Sequence, residues 1–402
     1  MVVSSSRALT AGLAASLALA FSACGAGPRA RTVPVPDAVV ERVPVGEWPL
    51  LADDLDPGSF AEACGYSTSY LKELPAETVF SFGGEKRTAA QLAAGVSRLC
   101  EIALNEPDLE RRTEILRREF VLLRSVGHDG HGDVLFTGYY EPLVAARRTP
   151  EPPFEHPVYG VPDDLLTVNL EAFGLEPASP TLVGRVEGRQ VVPYAEREEI
   201  DFERGLRAPV PVLGYLADLV DVFFLQVQGS GTLIFPDGTR IRAGYARSNG
   251  RPYRSIGKLL LDEDLVSREE MSMQAIRSYL ADHPQELRRV LSYNPSYVFF
   301  RPLEASGGPL GCYQLPVTAG RSIATDRRLF PAPVVVYIEG AFPVPGGGER
   351  QFARFALNQD TGGSIRGPGR VDLFLGAGDE AAEVAGRMQH SGRLYVLLPK
   401  GY

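Results

Sequence analysis

Two aspartates, Asp360 and Asp372, flank a glycine-rich run in the segment FALNQDTGGSIRGPGRVDLFLGAG, residues 355–378. Apolar residues that are typical of β-strands lie beside both of them. Four kinds of site place carboxyl groups in such a segment: a solvated turn, a phosphate-binding loop, an aspartic peptidase site and a site that cleaves a glycosidic bond. The residues around the two acids decide how well each alternative fits.

The glycines do not fit a phosphate-binding loop. Such a loop needs a lysine followed by serine or threonine and then a helix, whereas here Pro368 and the strand-like residues 371–374 follow. The triplet DTG at 360–362 also occurs in aspartic peptidases, which pair two such aspartates that share a proton. The chain contains a single copy of the triplet, so a peptidase would need a homodimer or a second aspartate, Asp372.

Cleavage of a glycosidic bond needs a carboxylic acid that is protonated near neutral pH. Burial among apolar neighbours disfavours the charged form of a carboxyl group and therefore raises its pKa. Asp372 lies in the apolar run VDLF, whereas Asp360 precedes a threonine and flexible glycines. The sequence therefore favours Asp372 as the general acid and leaves a turn or cap as the simpler interpretation of Asp360.

A second polar cluster is expected in the segment VFFLQVQGSG, residues 222–231. As a strand, this segment would place Gln226 and Gln228 side by side on one face, next to a Gly-Ser-Gly turn that allows close approach. Neutral amides in this position suit the hydroxyl and N-acetyl groups of a sugar. Tyr139 and Tyr140, in FTGYYEP, offer flat amphipathic surfaces for sugar rings.

Composition excludes some other classes of function. The net charge of −9 gives no electrostatic footprint for nucleic acid. His128 and His131 lie three residues apart in GHDGHGD, but no third ligand follows at a recognisable spacing, so a solvated turn is predicted instead of a metal site. No cofactor is predicted. The 402 residues, with 42 glycines and 32 prolines, indicate about two domains of β-rich architecture.

The N-terminal residues predict export and a lipid anchor. An arginine precedes the apolar run 9–21, which is too short to span a bilayer, and small residues then lead to Cys24. This pattern resembles the cleavage box of bacterial lipoproteins. We therefore expect a signal peptide over residues 1–23, lipidation of Cys24 and a Pro/Val-rich tether over residues 24–47. Gly25 is compatible with sorting to the outer membrane.

Two helical stretches are predicted. The first covers residues 57–126, where Thr88 is an expected N-cap and Gly127 an expected stop. The second follows a capping box formed by Ser267 and Glu270. These helices are expected to serve the hydrophobic core.

Strands are predicted around both polar clusters. Residues 133–148 read as a strand interrupted by a glycine, and residues 221–246 read as a hairpin that turns at the dipeptide DG. Cys64 and Cys100 lie in the helical part, and an envelope location permits a disulfide between them. Cys312 would then have no partner and is expected to be a small buried residue.

Eight motifs occur in a characteristic order along the chain: FTGYYEP, QVQGSG, NGRPYRSIGKLL, MSMQAI, NPSYVFF, ATDRRLFP, NQDTGGSIRG and VDLFLG. Together they resemble the membrane-bound lytic murein transglycosylase A family over residues 50–400. The family's C-terminal domain is named for three aspartates, which match Asp326, Asp360 and Asp372. The resemblance implies that Asp372 is the catalytic acid and that Asp360 and Asp326 have supporting roles.

The resemblance also implies a fold, mainly β with N-terminal helices. Residues 48–144 and 303–402 would form a double-psi β-barrel, residues 145–302 would form an inserted β-rich domain, and a substrate groove would lie between the two. The implied glycan-binding residues are Thr137, Tyr139, Tyr140, Gln226, Gln228, Gly229, Ser230, Gly231, Gly362 and Gly363.

The implied activity is cleavage of the β-1,4 bond between N-acetylmuramic acid and N-acetylglucosamine in peptidoglycan, with formation of 1,6-anhydromuramic acid ends and without a cofactor. The implied partners are glycan strands, other cell-wall enzymes and, through the lipid on Cys24, the periplasmic face of the outer membrane. Two alternatives remain at this point. One is a non-catalytic peptidoglycan-binding lipoprotein, and the other is an aspartyl peptidase that uses the DTG triplet.

Overall fold

The computed structural model describes the chain from residue 39 to residue 401, in the ranges 39–175, 181–203, 205–267, 270–303, 308–344, 348–363 and 365–401. The predicted signal peptide, Cys24 and most of the predicted tether lie outside these ranges. In the part of the chain that is described, no helix has both the length and the apolar character needed to cross a membrane.

Helices and strands alternate in blocks along the described chain. The helices are α1 (Pro57–Glu73), α2 (Ala89–Asn105), α3 (Leu109–Glu119), α4 (Arg197–Phe202), α5 (Leu219–Gln228), α6 (Ile256–Asp262), α7 (Met273–Asp282), α8 (Leu287–Ser292) and α9 (Gly378–Arg387), with 3₁₀ turns at Val45–Glu47, Glu171–Phe173 and Pro284–Glu286. The strands are β1 (Val40–Arg42), β2 (Val79–Phe82), β3 (Glu85–Thr88), β4 (Phe120–Ser125), β5 (Val134–Glu141), β6 (Leu143–Ala145), β7 (His156–Tyr159), β8 (Leu166–Asn169), β9 (Thr181–Glu187), β10 (Gln190–Pro193), β11 (Val212–Leu216), β12 (Ser230–Ile234), β13 (Arg240–Ser248), β14 (Val298–Leu303), β15 (Ser322–Ala324), β16 (Val335–Pro343), β17 (Glu349–Asp360), β18 (Arg370–Ala377) and β19 (Gln389–Pro399).

Six strands close into a barrel. They follow the order β19–β16–β17–β15–β18–β5, and β5 pairs back with β19. The β15–β17 and β18–β5 pairs are parallel, and the other four pairs are antiparallel. Strands β4 and β1 extend the sheet beyond the ring along β19. Closure gives each of the six strands two partners and so protects their edges.

The N-terminal helices pack on this barrel and share its hydrophobic core. Thr88 caps α2, as predicted from the sequence, and it also forms a capping box with Gln91. The fully buried Arg321 donates hydrogen bonds to a carboxylate oxygen of Asp53 at 2.7 Å and to the carbonyl oxygen of Asp56 at 2.9 Å. Because a buried charge is tolerated only when it is paired, these contacts fix the start of α1 against the barrel.

Between β5 and β15 the chain forms a second substructure with its own core, built around Phe223, Phe224, Leu233 and Phe300. It contains the four-stranded sheet β14–β13–β12–β6 and the smaller sheets β10–β9–β8 and β11–β7. Helices α4 to α8 also lie in this segment. The predicted insert is therefore present, but it is mixed α/β in composition, and so is the fold as a whole.

Polar contacts join the barrel to the insert on both α7 and the four-stranded sheet. Oε1 of the buried Glu141, at the end of β5, accepts hydrogen bonds from Arg242 Nε and Thr232 Oγ1, both at 2.9 Å. A further hydrogen bond joins α7 of the insert to α9 beside the barrel, where Gln274 Nε2 donates to the carbonyl oxygen of Ala382 at 3.1 Å. The strand that leads out of the barrel is thus tied to the sheet that it enters.

The helix predicted over residues 57–126 is wrong in its extent. Strands β2 and β3 interrupt it, and α3 ends at Glu119, so that Phe120 begins β4. The first four residues of β4 are all buried. A strand that is buried on both faces is a continuous apolar run, which periodicity does not distinguish from a helix. Ser267 Oγ accepts a hydrogen bond from the N–H of Glu270 and donates one to Glu270 Oε2, which is only half of the predicted capping box. Helix α7 begins only at Met273 and is capped by Ser272.

The segment predicted as the first strand of the hairpin, residues 221–228, is helix α5 instead. Asp218 caps it by accepting a hydrogen bond from the N–H of Val220 at 2.8 Å, and Gly229 ends it in the left-handed conformation, with φ +76°. Most of its residues are buried, so apolar side chains cover nearly all sides and leave no helical period. The hairpin itself is confirmed for β12 and β13, which are joined at the predicted DG turn.

Candidate active site

Asp360 and Asp372 lie on the two strands that flank β15. Ala324 of β15 pairs with Asp360 on β17 and with Asp372 on β18. The two acids are therefore at the same level of the barrel and two strands apart, which corresponds to roughly 9–10 Å between their backbones. On its other side, Asp372 pairs with Thr137 of β5. The barrel thus brings together residues that are far apart in the chain.

The Asp372 side chain is 19% exposed, and its two oxygens differ. Nε and Nη2 of Arg370 lie 3.4 and 3.5 Å from Oδ1, and Nη2 also donates to Thr137 Oγ1 at 3.1 Å. Within the described ranges, no protein group hydrogen-bonds Oδ2. Burial raises the pKa of Asp372, and the charge and hydrogen bonds of Arg370 oppose part of that rise.

Both oxygens of Asp360, in contrast, accept hydrogen bonds. The Tyr139 hydroxyl donates to Oδ2 at 2.9 Å, and the N–H of Thr361 donates to Oδ1 at 2.8 Å. Burial raises the pKa of Asp360 to about 6, although these donors lower it and the charge of Asp372 raises it further. From the sequence, this effect is expected at Asp372 rather than at Asp360. The structure shows that burial raises the pKa of both.

Asp326, just after β15, is a buried and fully paired anion. Arg328 donates from Nε to Oδ1 at 2.9 Å and from Nη2 to Oδ2 at 2.6 Å, and the N–H of Gly367 donates to Oδ2 at 3.0 Å. Burial alone would raise the pKa of Asp326, but these hydrogen bonds outweigh it and hold the pKa below its ordinary value. Asp326 therefore fastens the loop before β18 to the end of β15.

Tyr139 and Tyr140 project to opposite faces of β5, as successive residues of a strand do. The Tyr139 ring packs against Phe374, with ring centroids 5.2 Å apart, and its hydroxyl reaches Asp360. Tyr140 is only 8% exposed and packs against Ala381 of α9. The expectation that Tyr140 offers a surface for sugar rings is therefore wrong, because its ring is in the core.

The prediction that Gln226 and Gln228 align on a strand face is also wrong. Residues two apart on a helix lie about 200° apart around its axis, so the two amides diverge. Gln226 is buried, and its Oε1 accepts a hydrogen bond from Nη2 of the buried Arg197 at 2.6 Å. Gln228 Oε1 accepts from the N–H of Tyr140 at 3.1 Å. The Gln226 amide therefore serves the interior, whereas the half-buried Gln228 amide joins α5 to β5, and glycan contacts of the two stay a prediction.

Comparison with known proteins decides the family. The model of the MltA specific insert domain matches residues 135–301, and the model of the 3D domain matches residues 321–398. The membrane-bound lytic murein transglycosylase A of Escherichia coli K12 is 35% identical over 277 residues, which are 67% of this chain and 67% of that protein. The chain belongs to the membrane-bound lytic murein transglycosylase A family.

Solved structures of the transglycosylase A family share the fold. The membrane-bound lytic murein transglycosylase from Agrobacterium tumefaciens has 31% identity and a TM-score of 0.73, covering 90% of this chain and 98% of that one. E. coli MltA with bound chitohexaose has 27% identity and a TM-score of 0.69, covering 94% and 100%. The resemblance deduced from the motifs is thereby confirmed, as are the N-terminal helices, the barrel and the insert.

The glycines predicted to line the family's glycan site have different surroundings. Gly229 ends α5, as described above. Gly231 is buried, and a Cβ at this position would collide with the side chain of Leu225, so the residue is required for packing between α5 and β12. Gly363 is exposed and Gly362 half-buried in the turn after β17. Glycan contacts remain a prediction for Thr137, Tyr139, Gly229, Ser230, Gly231, Gly362 and Gly363.

Three further residues lie near the two carboxyl groups, although the sequence analysis does not assign them to the site: Arg370, Tyr253 and Cys312. Tyr253 is 40% exposed in the loop before α6, and its pKa is raised by burial and then by the charge of Asp372. Burial raises the pKa of Cys312 to about 12, and Asp360 adds to the rise. Strand alternation would have shown Arg370 beside Asp372. The other two arrive from distant segments and leave no local signal.

The remaining cysteines and histidines take no part in this site. Cys64 and Cys100 are buried free thiols that influence each other's pKa, and their disulfide stays a prediction. His128 lies 3.3 Å from Asp133 in the turn before β5. Among the described residues, no group of three or more His, Cys, Asp or Glu side chains is arranged to hold a metal ion.

Proposed function

We propose that this chain is a lytic murein transglycosylase that cleaves the β-1,4 bond between N-acetylmuramic acid and N-acetylglucosamine in peptidoglycan and leaves 1,6-anhydromuramic acid ends. The observation that carries the proposal is Asp372, a carboxyl with a raised pKa and one oxygen without a protein donor among the described residues. Family membership supports the activity, and the solved E. coli relative holds a glycan, chitohexaose.

The proposed reaction uses Asp372 twice. The protonated carboxyl donates from Oδ2 to the glycosidic oxygen as the bond to C1 breaks. The carboxylate then accepts the proton of the muramoyl C6 hydroxyl, whose oxygen attacks C1 and closes the anhydro ring. The acid is thereby restored and no water is consumed. A second carboxylate at the spacing of a hydrolase is therefore not required.

Asp360 and Asp326 have supporting roles in this proposal. Both oxygens of Asp360 are held by donors, which makes it a poor proton donor but a well-positioned charge. As a carboxylate it stabilises positive charge that develops at C1, and as a neighbouring like charge it favours the protonated form of Asp372. Asp326 keeps the loop before β18 in place through Gly367.

The finer architecture and location belong to the same proposal. Residues 48–144 and 303–402 form a double-psi β-barrel, residues 145–302 form the insert, and the glycan binds in a groove between them. The charge of Asp372 in the barrel raises the pKa of Tyr253 in the insert, and this influence supports the groove. The lipid on Cys24 would hold the enzyme at the periplasmic face of the outer membrane, where other cell-wall enzymes are candidate partners.

Mass spectrometry of muropeptides tests the proposal. Purified peptidoglycan is digested with the full chain in detergent and, in parallel, with its Asp372→Ala variant. We expect products that end in 1,6-anhydromuramic acid and that disappear with the variant. Reducing-end products would instead indicate a hydrolase, with Asp360 as its second carboxylate. Binding to the sacculus without any release would support the non-catalytic lipoprotein.

A further inference from the structure

Arg370, Asp372 and Thr137 form a triangle on two neighbouring strands. Arg370 and Asp372 are two residues apart on β18 and therefore share a face of that strand. Thr137 pairs with Asp372 across the parallel β5–β18 junction. The Arg370 guanidinium joins the other two, since Nη2 donates to Thr137 Oγ1 at 3.1 Å and lies 3.5 Å from Asp372 Oδ1. The threonine thus holds the guanidinium against one particular oxygen of the carboxyl.

We propose that Arg370 is a positioning residue that gives the two oxygens of Asp372 different tasks in the transglycosylase reaction. The inference rests on the function proposed above. Oδ1 faces Arg370 and stays unprotonated throughout the reaction. Oδ2 holds the proton, delivers it to the glycosidic oxygen and receives the proton of the C6 hydroxyl. A fixed carboxyl presents the reacting oxygen in every encounter, which lowers the entropy cost of reaching the transition state.

The length of the contact suits a group that changes its charge twice in each cycle. Charge-assisted hydrogen bonds between guanidinium and carboxylate are normally about 2.7–2.9 Å long. At 3.4 and 3.5 Å, the contacts of Arg370 with Asp372 are longer and weaker than that, so they offset only part of the effect of burial on its pKa. Arg370 is still close enough to stabilise the carboxylate that remains after the proton has been donated. Both the acid and the base form of Asp372 are therefore accessible.

In the part of the chain that the structure describes, the titratable groups that interact with Asp372 are Tyr139, Tyr253, Asp360 and Arg370, and Arg370 is the cation among these four. Tyr139 approaches from β5, Asp360 lies on β17, and Tyr253 approaches from the loop before α6. Removal of the guanidinium charge would leave Asp372 among one carboxyl and two phenols. The pKa of Asp372 would then rise further, because the interaction that opposes the effect of burial is lost. Activity would consequently persist to higher pH.

The test is the pH dependence of kcat and kcat/KM for release of 1,6-anhydromuropeptides by the full chain in detergent. With Arg370→Gln we expect kcat to fall about tenfold with little change in KM. The basic limb of the pH profile should move upward by about one pH unit. Arg370→Lys keeps the charge, so its basic limb should stay close to that of the wild type while kcat falls. Thr137→Val should move the limb in the same direction as Arg370→Gln, but less.

Arg387→Gln is the matched control, since it removes an exposed arginine that pairs with Glu383 on α9. Its pH profile should coincide with that of the wild type. A lower kcat in Arg370→Gln without displacement of the basic limb would indicate a merely structural role and would overturn the proposal, as would unchanged kinetics. If Arg370→Gln fails to fold by circular dichroism, the contrast between Arg370→Lys and Thr137→Val decides in the same way. Absence of anhydro ends from the wild-type digest would contradict the proposed function itself, whatever the variants do.

Discussion

Asp326 and Asp372 each have an arginine two residues away, yet their surroundings push their ionisation in opposite directions. Arg328 reaches both oxygens of Asp326, at 2.9 and 2.6 Å. Arg370 reaches only one oxygen of Asp372, at 3.4 and 3.5 Å. The pKa of the first carboxyl lies below its ordinary value, and the pKa of the second lies above it.

The difference teaches that neither burial nor a nearby arginine by itself decides the state of a carboxyl. Burial acts to raise the pKa at both positions. Asp326 offsets it with hydrogen bonds to both oxygens from the Arg328 side chain, from the Arg328 N–H and from the Gly367 N–H. Asp372 receives contacts at one oxygen only. The number and length of the hydrogen bonds therefore separate a fixed structural anion from a proton donor.

The largest effect is expected at the proton donor. Asp372→Asn keeps the shape of the side chain but removes its acidic proton, so release of 1,6-anhydromuropeptides should fall by about 10²–10⁴-fold. Binding to sacculi, measured by co-sedimentation, should be retained and serves as the control for folding. An Asn variant with activity within tenfold of the wild type would show that Asp372 is not the acid.

Substitution of Asp326, the fixed anion, should lower the free energy of unfolding. Asp326→Asn turns an amide nitrogen toward the donors of Arg328 or Gly367, and the free energy of unfolding in urea should fall by about 2–3 kcal/mol at neutral pH. Because the folded-state pKa of Asp326 is depressed, its stabilisation is present above the ordinary pKa of 3.8 and is lost as the pH falls through the folded-state value. The difference between wild type and variant should therefore shrink in acid. A difference that is independent of pH would exclude the ionised carboxylate as its cause.

The contribution of Asp360 to stability should depend on pH in the opposite direction to that of Asp326. Its pKa is raised from 3.8 to about 6, so the folded state binds the proton more tightly than the unfolded state. The resulting stabilisation is full below pH 3.8 and is lost as the pH rises through about 6. Asp360→Asn, which mimics the neutral acid, should therefore be more stable than the wild type at pH 7 by about 1–2 kcal/mol, after allowance for partial solvent exposure.

The gain in Asp360→Asn should vanish near pH 4, where the wild-type carboxyl is also protonated. Urea titrations at several pH values between about 4 and 7 would show this convergence. Transglycosylase activity should fall while glycan binding persists. If Asp360→Asn were less stable than the wild type at pH 7, the predicted direction of the stability change would be wrong. Unchanged turnover would remove Asp360 from the mechanism.

The smallest effect is expected at Tyr139. Tyr139→Phe removes the hydroxyl that donates to Asp360 Oδ2, a hydrogen bond that lowers the pKa of Asp360. That pKa should rise further, and the loss of stability with increasing pH should extend above pH 6, with a total change of about 1 kcal/mol. Tyr245→Phe, on the exposed side of β13, is the matched control. Identical pH–stability curves for the two variants would mean that this hydrogen bond does not tune Asp360.

Local patterns in the sequence identified some of these features and misplaced others. The Thr88 cap and the DG turn depend on a few adjacent residues, and both were predicted correctly. The pKa of Asp360 depends on Tyr139, which lies 221 residues away in the chain, so no local pattern reveals it. Helix α5 was misread as a strand because β-branched and aromatic residues fill a helix that is buried on nearly all sides, where burial overrides propensity.

The same limit explains the misplaced glutamines. An amide next to a Gly-Ser-Gly sequence suggests a polar surface, but Gln226 satisfies a buried arginine, Arg197, that comes from another element. A buried cation needs such partners, and the sequence does not show which residue it will recruit. The motifs were more informative than the periodicity here, because their order along the chain identified the family without any assumption about which side chains are exposed.

The closure of the barrel by β19 has a consequence for the time course of folding. This strand is synthesised after β4, β5 and β16, yet it pairs with all three, and β4 and β5 precede the insert in the chain. The early strands must therefore wait for partners while the whole insert is synthesised, and pairings so distant in sequence slow the search for the native topology. The entropy of closing a loop grows only with the logarithm of its length, so the large insert adds little to the cost of closure. The insert can thus vary in length with little effect on barrel stability, whereas loss of β19 would take one partner from each of β4, β5 and β16 and would open the barrel.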